Sequence, residues 1–234
     1  MKIIAMLPTY NEAENISSLI DDLLTVRHDM EVLVVDDNSP DGTWRIVQDK
    51  IRQHPGRVHL VHRKDEKGRG SAGVAGFRKA VELKADLVIE MDADYSHHPR
   101  FVARLVDAAA DADVVVGSRL VKGGGEAGRA LARRCITVCA NLYIRLMLGL
   151  PVRDATSGFR VFRRKVLETI GLERMESNGP AIVQEVLLAC HRKGFRIVEV
   201  PILFEERRAG SSTFTARIMI AGILSVVKLR CRKF

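Results

Sequence analysis

The chain has 234 residues, of which 47% are apolar and 28% charged, a balance that fits one globular domain and excludes a disordered or fibrous protein. Lysine and arginine outnumber the acidic residues by 37 to 29, and the pI near 9.6 indicates an anionic partner such as a phosphate or an acidic membrane surface. Aromatic residues make up only 5% and no nucleic-acid-binding module is recognisable, which argues against nucleic acid as that partner.

Five apolar runs rich in β-branched residues predict strands, and each of the first four is followed by a segment of helical length and pattern. The runs are KIIAML, EVLVV, VHLV, LVIEM and DVVVG. This alternation predicts an α/β fold with a mostly parallel, Rossmann-like sheet flanked by helices. We expect Asn11 to cap the first helix, since Asn11 and Glu14 have the spacing of a capping box.

The segments that follow the strands carry most of the polar motifs of the first half. They are PTYNE, DDNSPDGT, KGRGSAG, DADYSHH and GSR. In open α/β sheets ligands bind beyond the carboxyl ends of the strands, so we expect these segments to line one rim.

The pattern changes after Arg119. A glycine-rich loop, KGGGEAG, precedes a long helix that we predict from about Arg129 to Leu148. Next, PVRDATSGFRVF predicts a loop entering a short strand, AIVQEVLLACHRK a helix, and FRIVEVPILF a strand with a proline near its edge. The polar segment EERRAGSSTF predicts a mobile loop before a final helix of apolar and basic residues.

The cysteines and apolar segments bear on the compartment. The four cysteines lack paired CxxC spacing, so we expect free thiols in a reducing cytoplasm. Pro8 interrupts the first apolar run too early for a signal peptide. The apolar stretch 218–227 is far shorter than the ~20 residues that span a bilayer. We therefore expect a cytoplasmic protein that does not cross a membrane by itself.

Asp92 and Asp94 stand at the end of a predicted buried strand, in EMDADYSHHP. Hard carboxylate oxygens suit Mg²⁺ or Mn²⁺, which take few protein carboxylates and let substrate phosphates complete the coordination shell. Taken alone, such a pair is more often a solvated strand end with Asp and Ser turns. His97 and His98 lack further well-spaced ligands, and they indicate capping or packing rather than a zinc site.

Several other motifs have two interpretations. Tyr10 could stack on a base and Glu12 could accept from it, or both could simply stabilise the start of a helix. Asp36 and Asp37 could accept from a base or ribose, or could belong to an ordinary polar strand-to-helix loop. The glycines of KGRGSAG match GxGxxG, with the aspartate pair about 20 residues further on, as a dinucleotide-binding site requires. However, the charged residues 63–67 separate the preceding strand from the first glycine, whereas that site needs an immediate tight turn. This spacing argues against NAD binding.

Taken together, the motifs resemble, in order and spacing, family 2 glycosyltransferases of the polyprenyl-phosphate (dolichyl-phosphate) mannosyl- or glucosyltransferase type. The motifs are PTYNE, VVDDNSPDGT, KGRGSAGVAGF, MDADYSHHP, GSR, TSGFR and EVPI, and the resemblance covers residues 2–213. It implies a GT-A fold and the inverting transfer of a hexose from a nucleotide sugar, with Mg²⁺ or Mn²⁺ as cofactor. The reaction implied first is transfer of mannose from GDP-mannose to a polyprenyl or dolichyl monophosphate.

The resemblance also implies roles for individual residues. Those implied around the donor nucleotide are Pro8, Tyr10, Glu12, Val35 and Asp37. Those implied near the metal and diphosphate are Asp92, Ala93, Asp94 and Ser96, of which Asp92, Asp94 and Ser96 are the metal ligands. Arg119 and Arg207 are implied to contact the donor or its phosphates. The acceptor residues implied are Arg133, Ser157 and Gly158, and the catalytic residues implied are Asp94, Arg119, Arg133, Glu185 and Arg207.

The chain departs from this family at two places. Thr213 stands where the loop RxxGxSK ends in lysine, and Pro180 stands where an aromatic residue commonly follows glycine. Three alternatives therefore stay open: UDP-glucose or another donor, a soluble small-molecule acceptor, and a nucleotide-binding protein without activity. A hydroxyl acceptor would need a base for its proton, and Asp154 and Glu185 are the candidates.

We expect residues 1–214 to form a single GT-A catalytic domain. Residues 1–120 would be its nucleotide-sugar-binding half and residues 121–214 its acceptor half. Residues 215–234 predict a basic amphipathic helix, which either lies in the membrane interface or packs on the domain with a solvated basic end. The expected partners are the nucleotide sugar, the polyprenyl phosphate, and a membrane surface or small membrane subunit. The enzyme would then be peripheral on the cytoplasmic face of the membrane.

Overall fold

The order of elements along the chain follows the predicted alternation of strands and helices. The computed structural model describes residues 1–205 and 216–232. The strands are β1 (Ile3–Thr9), β2 (Met30–Asp36), β3 (Val58–His62), β4 (Leu87–Glu90), β5 (Val114–Ser118), β6 (Gly125–Glu126), β7 (Arg160–Arg163), β8 (Ile197–Pro201) and β9 (Leu203–Phe204). The helices are α1 (Ile16–Val26), α2 (Thr43–Gln53), α3 (Arg69–Glu82), α4 (Val102–Ala108), α5 (Leu131–Leu148), α6 (Arg164–Thr169), α7 (Ile182–Arg192) and α8 (Ala216–Cys231).

The main sheet has 7 strands in the order β3-β2-β1-β4-β7-β5-β8. Strand β7 is antiparallel to β4 and β5, and the other neighbouring pairs are parallel. The predicted mostly parallel sheet is therefore confirmed. Because β1 to β5 all run in one direction, their carboxyl ends lie at one edge, where the polar motifs were expected.

Helices cover both faces of the sheet because successive strand residues point to opposite faces. In β1, Ile4 and Met6 join an apolar cluster with α3, α5, α6, α7 and α8, while Ile3 and Ala5 join a second cluster with α1, α2 and α4. Strands buried on both faces explain the nearly continuous apolar runs in the sequence.

The start of α1 differs from the prediction. The helix begins at Ile16 with Asn15 at the N-cap position, so the predicted capping box of Asn11 and Glu14 is wrong. Asn11 has φ of 59°, in the left-handed region that Asn tolerates better than most residues. The Glu12 carbonyl oxygen accepts from the amides of Asn15 and Ile16 at 3.0 and 2.9 Å. A local turn thus replaces the capping box and leaves Tyr10 at the rim.

The elements of the second half also follow their predictions. The long helix is confirmed as α5, the short strand after TSGF as β7, and the next helix as α7. The predicted glycine-rich loop KGGGEAG contains one additional element, β6, which pairs with β9. The four cysteines are free thiols, as predicted. Among the described residues, we find no helix with the length and apolar character required to cross a bilayer.

Candidate active site

The turn after β4 carries the aspartate pair. Asp94 is buried, and its Oδ1 accepts the amide of Ser96 at 3.0 Å. Tyr95, which lies between Asp94 and Ser96, has φ of 64°, and this left-handed conformation makes the chain turn sharply. The side chain of Asp92 keeps 41% of its surface exposed. The turn therefore carries two carboxylates of different exposure: that of Asp92 is open to solvent, and that of Asp94 is buried.

His97 and His98 support this turn. His97 is buried and stacks on Phe159 with ring centroids 5.1 Å apart, and its Nδ1 accepts the amide of Asp92 at 3.1 Å. Burial lowers the pKa of His97, which favours the neutral ring that such acceptance requires. His98 caps the 3-10 turn Pro99–Phe101 by accepting the amide of Arg100 at 3.2 Å. The predicted packing and capping roles are thus confirmed.

The two carboxylates fit a divalent cation whose remaining ligands come from a substrate. The described part of the chain contains no group of three or more His, Cys, Asp and Glu side chains that could hold a metal by itself. Mg²⁺ and Mn²⁺ are bound in this incomplete way, through one or two carboxylates plus phosphate oxygens. Asp92, which is partly exposed, and the buried Asp94, two residues further on in the same turn, offer that donor set.

Sequence reasoning missed a group of charged residues beside this turn. The Arg69 Nη2 donates to Glu90 Oε1 at 2.9 Å and lies 3.5 Å from Asp92 Oδ1. The carboxylate of Glu90 also pairs with the fully buried Arg160. Burial would lower the pKa of Arg69, but the charges of Glu90 and Asp92 outweigh it and raise that pKa. The signal in the sequence was a charged residue inside each apolar strand, at LVIEM and FRVF.

Asp37 joins the end of β2 to the loop before α3. Its Oδ1 pairs with Arg63 Nη1 at 2.7 Å, and its Oδ2 accepts the amide of Gly68 at 2.7 Å. Burial raises the pKa of this carboxyl despite both partners. Asp36 accepts from Thr9 Oγ1 at 2.9 Å and from the amide and hydroxyl of Ser39 at 2.9 and 2.6 Å. Asp36 therefore holds the loop that begins α2, and Asp37 holds the loop that begins α3.

A cleft of about 470 Å³ opens beside Tyr10 at the same rim. Its lining residues are Tyr10, Asn38, Ser39, Pro40, Asp41, Gly42, Trp44, Arg45 and Lys67. The Lys67 ammonium lies 5.6 Å from the centre of the Tyr10 ring. The predicted nucleotide residues Pro8 and Val35 are paired across β1 and β2, and the side chain of Val35 is buried in the core. Glu12 Oε2 accepts from the side-chain amide of Asn15 at 2.9 Å.

Arg119, at the end of β5, forms a two-point ion pair with Asp154. The Nε and Nη2 atoms each lie 2.7 Å from a carboxylate oxygen of Asp154, and the Arg119 amide donates to Asp154 at 3.0 Å. Burial would raise the pKa of Asp154, but the hydrogen bonds and charge of Arg119 hold it below its usual value. Phe204 links this pair to the aspartate turn, since its ring lies 5.4 Å from the Arg119 guanidinium and 5.8 Å from the His97 ring.

The TSGF loop reaches the aspartate turn because β7 runs antiparallel between β4 and β5. A Cβ atom placed on Gly158 would lie 3.6 Å from Asp92 Oδ1 and 3.5 Å from His97 Cε1. Ser157 is buried and its Oγ accepts the amide of Phe159 at 3.3 Å. The structure therefore brings Gly158 close to Asp92, although the two residues are far apart in sequence.

The remaining predicted residues lie further from this contact or outside the described residues. Arg133 is exposed in the first turn of α5. Glu185 is fully buried in α7, where it accepts the amides of Glu176 and Ser177 at 2.9 and 2.8 Å and pairs with Arg232. Arg207 lies outside the described residues, as does the Thr213 departure.

Comparison with known proteins agrees with this architecture. The sequence model of glycosyl transferase family 2 matches residues 5–171. The chain is 39% identical over 228 residues to the undecaprenyl-phosphate mannosyltransferase of Micrococcus luteus, covering 97% of this chain and 93% of that protein. It is 39% identical over 212 residues to the polyprenol monophosphomannose synthase of Mycolicibacterium smegmatis, covering 90% of this chain and 80% of that protein.

Solved structures show the same fold at lower sequence identity. Glucosyl-3-phosphoglycerate synthase from Mycobacterium tuberculosis, in complex with Mn²⁺, uridine diphosphate and phosphoglyceric acid, superposes with a TM-score of 0.72 at 20% identity. That match covers 100% of this chain and 80% of the synthase. The architecture is the GT-A fold that the motifs implied. The chain therefore belongs to glycosyltransferase family 2 and is a glycosyltransferase.

Proposed function

We propose that the enzyme transfers mannose from GDP-mannose to a polyprenyl or dolichyl monophosphate, with inversion of the anomeric centre and with Mg²⁺ or Mn²⁺ as cofactor. The two relatives at 39% identity support the choice of sugar and acceptor through the activities in their names. The structural observation that carries the proposal is the closeness of the TSGF loop to the open carboxylate of Asp92, since a Cβ on Gly158 would lie 3.6 Å from Asp92 Oδ1. This closeness supports a site in which an acceptor half (121–214) meets a donor half (1–120).

On the donor side, Asp92 and Asp94, with Ser96, would hold the metal. The metal, when bound, neutralises the negative charge that grows on the leaving nucleoside diphosphate. The cleft beside Tyr10 would receive the nucleoside, and Asp37 directly precedes the lining residue Asn38. Arg119 would contact the donor phosphates, with its guanidinium held in place by Asp154 and by Glu126 at 3.4 Å, and such preorganisation favours the transition state.

On the acceptor side, a lipid monophosphate is already anionic and attacks without losing a proton, so no strong general base is required. Arg133 would bind that phosphate, since a planar guanidinium matches phosphate geometry and its side chain is exposed. Attack from the face opposite GDP inverts the anomeric carbon. We assign Glu185 a supporting role, because both its carboxylate oxygens hold backbone amides of the segment 176–177.

We place the membrane against the surface formed by helices α5 and α8, which we call the α5–α8 face. The two helices pack together, with the Tyr143 hydroxyl donating to the Ile223 carbonyl oxygen at 3.3 Å. Most of the large apolar side chains that are exposed in the described residues lie on these helices. They are Leu131, Ile136, Val138, Leu142 and Leu146 on α5, and Ile223, Leu224 and Val227 on α8. A concentration of exposed apolar side chains on two packed helices favours an interaction site there.

The charges on the α5–α8 face favour an anionic bilayer surface as its partner. Neither helix contains Asp or Glu. Basic residues are exposed along both helices, namely Arg133, Arg134, Arg145, Lys228 and Arg230. Apolar side chains flanked by basic ones suit insertion at the level of lipid headgroups. The enzyme would therefore sit on the membrane surface with Arg133 close to the headgroup of a lipid phosphate.

The test is incubation of the purified enzyme with GDP-mannose, Mn²⁺ and a polyprenyl phosphate, followed by extraction and mass measurement of the lipid. We expect a mannosyl phospholipid that appears in proportion to the GDP released. A parallel reaction with UDP-glucose tests the alternative donor. Turnover of GDP-mannose without a lipid product would refute a lipid phosphate acceptor, and faster turnover of UDP-glucose would refute mannose as the sugar.

A further inference from the structure

Arg69 connects the aspartate turn to a buried network of charges that the proposed transfer reaction leaves unused. Its Nη2 lies 2.9 Å from Glu90 Oε1 and 3.5 Å from Asp92 Oδ1. The Glu90 side chain is 1% exposed, and its other oxygen pairs with Arg160, which is fully buried. Positive and negative groups thus alternate from the core to the rim, in the order Arg160, Glu90, Arg69 and Asp92.

The network is held from behind by regular structure. Glu90 and Arg160 are direct partners in the antiparallel register of β4 and β7. Arg160 Nη1 also donates to the Val183 carbonyl oxygen at 2.7 Å. Arg69 is the first residue of α3, and the backbone beside it is fixed because the Gly70 amide donates to the Asn178 carbonyl oxygen at 2.9 Å. The guanidinium is therefore positioned beside Asp92 before any substrate binds.

A fixed cation at this distance opposes the binding of a metal to Asp92. Two unit charges about 4 Å apart interact, even in water-like surroundings, with an energy that changes an equilibrium constant by roughly fivefold to tenfold. The same cation attracts a diphosphate, whose negative charge would offset the repulsion between guanidinium and metal. Metal and diphosphate should therefore each bind better when the other is present.

We propose that Arg69 neutralises Asp92 in the donor-free enzyme and so makes metal binding depend on the nucleoside diphosphate. Arg69 is then a positioning residue that determines the order of binding. The proposal rests on the metal site assigned above to Asp92. The metal would then stay largely unbound until a donor is present to complete its coordination.

The test is calorimetry of Mn²⁺ and of GDP, each alone and each in the presence of the other, on the wild-type protein and three variants. In Arg69→Gln we expect Mn²⁺ alone to bind about tenfold more tightly, GDP alone to bind more weakly, and the mutual enhancement to shrink. Arg69→Lys keeps the charge and should stay close to the wild type. Arg78→Gln removes the same charge from an exposed position on the same helix and should leave both affinities unchanged.

Opposite changes in the two affinities separate this role from simple damage, because a misfolded site would weaken both ligands. Mn²⁺ binding to Arg69→Gln that is unchanged or weaker overturns the proposal. Should that variant fail to fold, the wild type still decides: equal Mn²⁺ affinity with and without GDP refutes the coupling. An Asp92→Ala arm isolates the underlying assumption, since unchanged Mn²⁺ affinity there would refute the metal site and not the role of Arg69 alone.

Discussion

Asp92 and Asp94 share a turn but differ in exposure, which divides their expected roles. Asp92 faces the rim, whereas Asp94 is 3% exposed and accepts the Ser96 amide. We predict that Asp92→Ala and Asp94→Ala each weaken Mn²⁺-supported GDP-mannose binding by more than about tenfold. Losing a residue that only supports a metal ligand already costs about that much, and a direct ligand should cost more. Calorimetry with the donor measures this, with Asp107→Ala on exposed α4 as the control. Unchanged donor affinity in both variants would remove the aspartate pair from the metal site.

The Arg119–Asp154 pair makes a prediction about stability and pH. Folding lowers the pKa of Asp154 below its value in the unfolded chain. The ionised carboxylate therefore stabilises the fold fully when the pH is above the unfolded pKa, and this contribution is lost as the pH falls through the folded pKa. Asp154→Asn leaves the buried Arg119 guanidinium with Glu126, 3.4 Å away, as its remaining carboxylate partner, and should lower the free energy of unfolding by about 3 kcal/mol at neutral pH, the lower end for breaking a buried pair. The loss should become smaller below about pH 4.

Chemical denaturation at neutral and acidic pH tests this prediction. The control is Asp29→Asn, which breaks a more exposed pair with Arg27 and should cost no more than about 1 kcal/mol. A loss in Asp154→Asn that is equally small, or that does not depend on pH, would contradict the buried pair.

At the scale of elements, the start of α3 is fitted closely to the segment before α7. A Cβ atom on Gly70 would lie 1.7 Å from the Ser177 carbonyl oxygen, so Gly70→Ala must displace backbone. We predict a loss of about 3 kcal/mol of unfolding free energy, the upper end for overpacking. The same change should also weaken donor binding. Glu185 holds Ser177 in place, so the displacement falls on the start of α3, where the Gly68 amide donates to Asp37.

The matched control is Gly222→Ala, since a Cβ there meets nothing within 4 Å inside helix α8. Alanine should stabilise that helix by about 0.5 to 1 kcal/mol. Denaturant unfolding compares the two variants directly. If Gly70→Ala were as stable as the wild type, the close approach of the two segments would be wrong.

The glycines of KGRGSAG show how one element can satisfy a motif for another reason. Gly70 is required by the approach of Ser177, and a Cβ on Gly68, where φ is 137°, would lie 2.8 Å from the Asn178 carbonyl oxygen. These contacts give the glycines packing roles within the fold. The dinucleotide-binding alternative depended on the spacing of these glycines and of the aspartate pair, and packing accounts for Gly68 and Gly70.

At the scale of the whole molecule, we propose that the α5–α8 face lies on the membrane that carries the acceptor. We predict that Leu142→Glu reduces binding to vesicles containing anionic phospholipid by about tenfold, because an inserted leucine contributes about 1.5 to 3 kcal/mol on burial. Leu142 is 54% exposed, so the fold should tolerate the change. Vesicle cosedimentation measures the binding.

The control for charge is Arg104→Gln, which makes the same change in net charge. Arg104 is an exposed residue of α4, on the opposite face of the sheet. This variant should leave vesicle binding nearly unchanged. Equal losses in the two variants would mean that net charge, rather than the α5–α8 face, drives association. No loss in Leu142→Glu would move the membrane to another surface.

The sequence by itself determined the α/β class, the five parallel strands with their rim of polar motifs, and the family. These features depend on local periodicity and on motif spacing, which are written along the chain. It misplaced the start of α1, because the Glu12 carbonyl oxygen, rather than an Asn11 side chain, satisfies the first amides.

Only the tertiary structure decided which distant residues meet at the site. Glu90 and Arg160 are 70 positions apart, and the antiparallel insertion of β7 makes them partners and brings Gly158 to Asp92. No local pattern encodes that insertion, since it depends on which strands pair across the sheet. Likewise, α5 reads as an ordinary helix until its packing against α8 shows which apolar side chains stay exposed.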